Sequence, residues 1–192
     1  MNKPSNKKRK SVSIKTKASV IYPYFKGYQY KPWIALSEYV DNSVQSYLDN
    51  KKELSKLGCE LVSVNIDIGS DLFGEYISIE DDAGGIADDR FEDAFKIMKP
   101  GEEKKNLNEF GIGMKLASIW FGNHFTVETS ALGEPFKTKV VFDIKDIEKN
   151  ESEEISGKNL QVSKAKVDDH FTRIVITQLN NSMPKGATIT KI

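Results

Sequence analysis

The chain of 192 residues is poor in cysteine and histidine, with one and two copies respectively. Its single cysteine, Cys59, excludes an intramolecular disulfide and is typical of a reducing compartment. No apolar run approaches the roughly 18 residues that a membrane-spanning helix needs, and the N-terminus lacks the apolar segment of a signal peptide. We therefore expect a soluble, cytoplasmic protein with no membrane partner.

The chain also lacks an excess of either charge, because 28 Lys and Arg balance 28 Asp and Glu. The domain as a whole is therefore not expected to bind polyanions. Residues 1–17 differ, since they contain seven basic residues and no acidic one. We interpret them as a basic tail that either aids solubility or contacts nucleic acid. Residues 18–192 have a length that suits one folded domain.

The distribution of apolar residues predicts both helices and strands. The predicted helices are 33–57, 89–98 and a run that begins at 114. The predicted strands are 61–68, 75–80, 124–130, 136–142, 160–167 and 172–179. This order indicates an α+β fold, a two-layer sandwich with a mixed, mostly antiparallel sheet and helices on one face.

The first predicted helix has two different faces. Its apolar face, which we expect to be buried, comprises Trp33, Leu36, Val40, Val44 and Tyr47. Glu38 and Asn42 lie one turn apart on the opposite face. Such a face usually does no more than meet solvent, but a carboxylate and an amide at this spacing can hold a water molecule and a divalent cation.

Residues 81–86, with the sequence Asp-Asp-Ala-Gly-Gly-Ile, follow the second predicted strand. Acidic residues and paired glycines at the end of a strand often form nothing more than a turn. A calcium loop is disfavoured, because the twelve-residue spacing of its ligands is absent. Taken alone, this segment indicates a turn.

Residues 108–118 hold the most distinctive motif, in which Gly111 and Gly113 lead directly into an apolar helical run. Glycine lets the backbone approach a ligand closely, and the first turn of a helix offers unpaired N–H groups with partial positive charge. With Lys115 they suit a phosphate, and the alternative is a tight turn before a buried helix. The preceding polar segment, 99–108, is either a lid that folds over a ligand or a plain surface loop.

Taken in order, these segments resemble the motifs of the GHKL superfamily of ATPases, which includes gyrase, the ATP-driven heat-shock chaperone, histidine kinases and MutL. Glu38 and Asn42 resemble its first box, residues 81–86 its Asp-Asn-Gly-x-Gly-Ile box, and residues 110–115 its second glycine box. Thr172 resembles the threonine of its Gly-Thr-x-Ile box. The resemblance covers about residues 30–180, is nearest to MORC-like or chaperone-like members, and implies a Bergerat-type ATP-binding sandwich.

Three positions depart from the family pattern. Ala83 and Phe171 stand where glycine is usual, and Asn108 stands where some members have the first glycine of the second box. Alanine cannot adopt a positive φ as readily as glycine, so the first departure places the local backbone geometry in question.

The resemblance implies how a bound ATP would be held. Asp81 accepts a hydrogen bond from the adenine amine, Gly85 lets the backbone approach the ring beside Ile86, and Thr172 contacts the base pocket directly or through water. The implied phosphate-binding residues are Gly111, Ile112, Gly113, Met114 and Lys115. A lid of about residues 99–110 is expected to cover the site.

The resemblance also implies the chemistry. Asn42 is the implied ligand of Mg²⁺, and Glu38 is the implied general base for the attacking water. The expected activity is Mg²⁺-dependent ATP binding with slow hydrolysis, by the N-terminal part of a larger switch that closes a homodimer and acts on a transducer domain or partner protein. Two alternatives stay open: a histidine-kinase-type catalytic domain, and an ATP-binding regulatory module that contacts nucleic acid through the basic tail.

Overall fold

The computed structural model describes residue 27 and residues 31–95, 113–150 and 160–180. Within these ranges the chain forms four helices and six strands. The helices are α1 (Pro32–Lys56), α2 (Asp88–Phe95), α3 (Gly113–Phe121) and α4 (Ile144–Asn150). The strands are β1 (Val64–Asp71), β2 (Gly74–Asp81), β3 (Gly122–Ser130), β4 (Phe136–Asp143), β5 (Leu160–Lys164) and β6 (Phe171–Leu179).

The six strands form one sheet in the order β1-β2-β6-β3-β4-β5. Every pairing among these strands is antiparallel. The last strand, β6, therefore inserts between two hairpins, β1–β2 and β3–β4, and joins them into a single sheet. This arrangement confirms the predicted α+β class.

Side chains that alternate along each strand give the sheet an inner face, which is covered by helices. Two cross-strand rows on that face are apolar: Ile77, Ile176, Phe125 and Phe142, and Ile79, Ile174, Val127 and Val140. These side chains are buried in one core with residues of α1 and α3, among them Leu36, Tyr39, Ala117 and Ile119. One step further along the same face, the row becomes polar: Asp81, Thr172, Thr129 and Thr138.

Helix α1 confirms the predicted helix but not the whole of its predicted buried face. Pro32 opens it, and it ends before Gly58, whose φ of +83° reverses the chain direction. Trp33, predicted to be buried, is 47% exposed. Leu36 and Tyr47 are buried as predicted, whereas Val40 and Val44 are only partly buried. The other buried residues are Ala35, Tyr39, Ser43 and Leu54. The buried face includes hydroxyl groups, which a pattern of apolar residues alone does not reveal.

Other boundaries differ in ways that local chemistry explains. Strand β1 begins at Val64 rather than at residue 61 and continues to Asp71, because only Leu72 and Phe73 form the hairpin turn. Helix α4 was not predicted. The Asp143 carboxylate accepts a hydrogen bond from the Asp146 amide at 3.1 Å, which caps the first turn of this short helix.

Several predicted features lie outside the described residues. They are the basic tail at 1–17, the lid at 99–110, Gly111 and Ile112, and the predicted helical residues 96–98. Within the described ranges, no helix combines the length and hydropathy that crossing a membrane requires.

Candidate functional site

A cavity of about 620 Å³ lies between the helices and the polar end of the sheet. Its walls come from α1, β2 and the segment after it, α2, the start of α3, the turn after β3, and β6. Six residues predicted to bind ATP line this cavity: Asn42, Asp81, Gly85, Ile86, Met114 and Thr172. Segments that are distant in sequence therefore meet around one hollow, whose volume suits a small-molecule ligand.

Asp81 is the buried carboxylate of the cavity, at the last position of β2. Its Oδ2 accepts a hydrogen bond from the Ser43 hydroxyl at 2.7 Å, and its Oδ1 accepts one from the Ala83 amide at 3.0 Å. Burial raises the pKa of Asp81 above its ordinary value of 3.8, although the hydrogen bonds from Ser43, Ala83 and the Thr172 backbone lower it in part. The carboxylate is thus held rigidly at the cavity wall.

The segment after Asp81 lies closely against the end of β3. Gly85 has a φ of +71°, and a Cβ at this position would collide with the Ser130 carbonyl and lie 2.8 Å from the Ala131 Cα. The Ile86 amide donates to the Thr129 hydroxyl at 2.9 Å. Ala83 is fully buried and does not have a positive φ, so this departure from the family pattern requires no glycine.

Glu38 and Gly113 meet where α3 begins. A Cβ on Gly113 would contact the Glu38 carboxylate and lie 2.7 Å from its Cδ, so only glycine allows this approach. Helix α1 is tied to the same turn of α3 through Tyr39 and Ser118. The Ser118 hydroxyl donates to the Met114 carbonyl at 2.8 Å, which leaves the Tyr39 hydroxyl to donate to Ser118 at 2.9 Å.

Burial raises the pKa of the Tyr39 phenol well above its ordinary value, so its proton is retained for this bond. Lys115, in the first turn of α3, is buried with 7% of its surface exposed and does not line the cavity. Gly111 and Ile112 lie outside the described residues. The structure therefore brings Glu38, Asn42 and Asp81 to one region, with the beginning of α3 beside them.

Sequence patterns did not identify Thr129, which is 2% exposed on β3 and contacts both Ile86 and Thr172. It is 43 residues from each of them, so no local motif contains it. One signal was available, because Thr129 continues the inward alternation of Phe125 and Val127 on a predicted strand. A hydroxyl at a core-facing position needs a hydrogen-bond partner, which marks the residue for attention.

The fold is thus an antiparallel sheet covered on one face by helices, with a cavity of ligand size at the end of the strands. The chain belongs to the family of histidine kinase-, DNA gyrase B- and HSP90-like ATPases, which matches residues 30–176. The resemblance to the GHKL superfamily is thereby confirmed. No curated protein sequence matches the chain as a relative.

Several solved structures share the fold. The ATPase region of Saccharomyces cerevisiae topoisomerase II bound to ICRF-187 (dexrazoxane) has a TM-score of 0.50 and 16% identity, covering 79% of this chain and 37% of that one. Another structure of this region has a TM-score of 0.50 and 17% identity, with coverages of 74% and 36%. The structure of the ATPase and transducer domains of DNA topoisomerase II from Balamuthia mandrillaris has a TM-score of 0.50 and 16% identity, covering 74% of this chain and 36% of that one.

At these identities the likeness concerns the fold alone. The chain spans little more than a third of the length of these structures, with shares of 36% to 37%. The closer kinship to MORC-like or chaperone-like members stays a prediction.

The contact between Gly85 and the end of β3 can be tested with a matched glycine. Gly133 also has a positive φ, of +89°, but nothing lies within 4 Å of its added Cβ. Gly133→Ala should therefore lose only about 1–2 kcal/mol of unfolding free energy to backbone strain. Gly85→Ala adds a collision with backbone and should lose roughly 1–3 kcal/mol more. Urea denaturation followed by circular dichroism measures both, and equal losses would contradict the close contact.

The environment of Asp81 predicts a particular pH dependence of stability. Because its pKa is raised in the folded chain, the stabilisation it provides is complete below the ordinary value of 3.8 and is lost as pH rises through the folded-state pKa. The difference in unfolding free energy between the unaltered chain and Asp81→Asn should therefore decrease as the pH rises through the folded-state pKa of Asp81. Urea denaturation at a series of pH values measures this difference.

The neighbouring Glu80 supplies a control of opposite sign. Hydrogen bonds from Arg173 lower the pKa of Glu80 below its ordinary value of 4.5, so its stabilisation is present above that value and is lost as pH falls. The difference between the unaltered chain and Glu80→Gln should therefore grow with rising pH. Slopes of the same sign for the two variants would contradict the assigned environments.

Proposed function

We propose that this domain binds ATP with Mg²⁺ in the cavity and slowly hydrolyses it to ADP and phosphate. The proposal is carried by one observation: Asn42, Asp81 and Thr172 line a single cavity, and Glu38 lies against Gly113 beside it. Membership of the ATPase family supports the same reading.

The adenine would lie at the polar end of the sheet. The Asp81 carboxylate accepts a hydrogen bond from the exocyclic amine of the base, since it is an acceptor held in place by three protein donors. Gly85 brings the backbone close to the ring, while the partly buried Ile86 offers apolar contact. Thr172, directly opposite Asp81 on β6, completes the wall that faces the base.

The phosphates would lie at the beginning of α3. The first turn of a helix has unpaired N–H groups and partial positive charge, which favour an anion. Gly111 and Ile112 lead into this turn, and Gly113 and Met114 begin it. Lys115 adds a full positive charge from its buried position in the same turn.

The cavity fits Mg²⁺ only together with a bound phosphate chain. Among the described residues, no group of three or more His, Cys, Asp and Glu is arranged to hold a metal ion. Asn42 lines the cavity and offers a hard amide oxygen, and Mg²⁺ typically takes few protein ligands and completes its shell with phosphates and water. When bound, the ion would neutralise phosphate charge beside Asn42.

Hydrolysis requires a base near the terminal phosphate. Glu38 is placed at the start of α3, where its carboxylate can accept a proton from the attacking water while oxygen bonds to the γ-phosphorus and ADP leaves. Positioning and charge neutralisation supply most of the catalysis in such a transfer, so turnover is slow until the lid and any partner complete the site.

At the level of the whole chain, residues 18–192 form the ATP-binding domain in the cytoplasm, with a lid at about 99–110. The domain acts as the N-terminal part of a larger switch, in which ATP closes a homodimer and the change passes to a transducer domain or partner protein. In the alternative proposal, the domain is an ATP-binding regulatory module whose basic tail at 1–17 contacts nucleic acid. Membership of the ATPase family supports the nucleotide-binding part of this proposal.

The rival function is that of a histidine-kinase-type catalytic domain. Both histidines of the chain are placed at the sheet: His124 lies on β3, with Nδ1 3.1 Å from the Thr177 hydroxyl, and His170 precedes β6 and donates from Nδ1 to the Asp82 carbonyl at 2.9 Å. Neither lies on a helix, and Glu38, one turn before Asn42, is the feature that favours phosphate transfer to water. Radiolabelled phosphate retained on the protein after incubation with ATP would favour the kinase instead.

Separate variants distinguish ATP binding from hydrolysis. Asp81→Ala should abolish ATP binding measured by calorimetry, because it removes the acceptor for the adenine amine. Glu38→Gln should bind ATP within a few-fold of the unaltered chain but lose about 100-fold or more in phosphate release. The control is Asp82→Ala, which changes the adjacent exposed carboxylate and should keep both activities. Normal ATP binding by Asp81→Ala would refute the adenine assignment.

The approach of Glu38 to α3 can be tested through Gly113 alone. A Cβ at residue 113 displaces only the far end of the Glu38 side chain, so Gly113→Ala should stay folded and lose roughly tenfold or more in hydrolysis. In a Glu38→Gln background the same substitution should cause little further loss, because the group that it displaces is already inactive. Losses that simply multiply in the double variant would contradict the shared role.

A further inference from the structure

Thr129 belongs to a buried hydrogen-bond network directly behind the cavity wall. It is 2% exposed, and its hydroxyl lies within bonding distance of three groups. The hydroxyl donates to the Phe171 carbonyl at 2.9 Å, accepts from the Ile86 amide at 2.9 Å, and lies 3.3 Å from the Thr172 hydroxyl. Thr129 therefore connects the segment after β2 with the start of β6.

Counting protons fixes the direction of the third contact. A threonine hydroxyl has one hydrogen and two lone pairs. A carbonyl can only accept a hydrogen bond and a backbone amide N–H can only donate one. The Thr129 hydroxyl therefore donates its hydrogen to the Phe171 carbonyl and accepts the Ile86 N–H with one lone pair. Only a lone pair is left for Thr172. The hydrogen of the Thr172 hydroxyl is consequently directed at Thr129, away from the cavity that Thr172 lines.

This direction gives the cavity wall a defined hydrogen-bonding character. Thr172 turns lone pairs rather than a hydrogen toward the cavity, and it stands opposite Asp81, whose carboxylate is also an acceptor. Two neighbouring acceptors match an exocyclic amine, which carries hydrogens. They repel an exocyclic carbonyl, because its oxygen also carries lone pairs and has no hydrogen to donate.

We infer that Thr129 is a positioning residue that sets the preference for a 6-aminopurine nucleotide over a 6-oxopurine nucleotide by orienting the Thr172 hydroxyl. The inference rests on the proposed function, because it takes the cavity to be the purine site. It extends that proposal to a residue outside the ligand-binding motifs, which acts without touching the ligand.

The test compares binding of ATP and inosine triphosphate, both with Mg²⁺, by calorimetry on the full chain. Thr129→Val keeps the shape of the side chain but frees the Thr172 hydrogen to turn into the cavity. The ratio of ATP affinity to inosine triphosphate affinity should therefore fall about tenfold. Thr129→Ser restores the hydroxyl and should restore the ratio. The matched control is Thr138→Val, at the buried threonine directly opposite on β4, which should leave the ratio unchanged.

The ratio separates this role from a purely structural one. If Thr129→Val weakened both nucleotides equally, or if Thr138→Val lowered the ratio as much, the inference would be overturned while the proposed function stood. If the unaltered chain bound neither nucleotide, the proposed function would fail and the inference with it. A lowered ratio in Thr129→Val that Thr129→Ser reverses supports the inference, even if the valine variant is less stable.

Discussion

The hydrogen bond from Ser43 to the Asp81 carboxylate joins the helical layer to the sheet at the point where the cavity forms. It spans 2.7 Å between α1 and the end of β2, and both residues are buried. A carboxylate in such a place is costly unless several donors satisfy it, and Ala83 and the Thr172 backbone supply the others. The positions of α1, the segment after β2, and β6 are thus coupled through one side chain.

The same strand alternation that builds the core also builds the site. Two apolar rows hold α1 and α3 against the sheet, and the next row on that face is polar, with two of its members, Asp81 and Thr172, lining the cavity. Helix α3 is fixed to α1 by the bond between Tyr39 and Ser118, so its first turn stays beside Glu38. The geometry of the site therefore depends on packing between layers rather than on any loop alone.

Local chemistry made much of this molecule predictable from sequence. Pro32 and Gly58 bounded α1, and the alternating strands gave the fold class. The spacing of Glu38 and Asn42 placed them on one face of α1. The prediction of the buried face of α1 was partly wrong. It omitted Ser43, which is buried against Asp81, a partner 38 residues away that no apolar pattern encodes. The sequence did not predict Thr129 for the same reason, because its contacts form only when strands that are distant in sequence pair with each other.

The central claim is that separated segments hold a single purine triphosphate. The most direct measurement is a crystal structure of the chain with a non-hydrolysable ATP analogue and Mg²⁺. The account predicts the adenine amine at the Asp81 carboxylate, the phosphates at the beginning of α3, and Glu38 facing the terminal phosphate. A nucleotide bound elsewhere, or bound in this cavity with its base toward α3 and its phosphates toward Asp81, would contradict it.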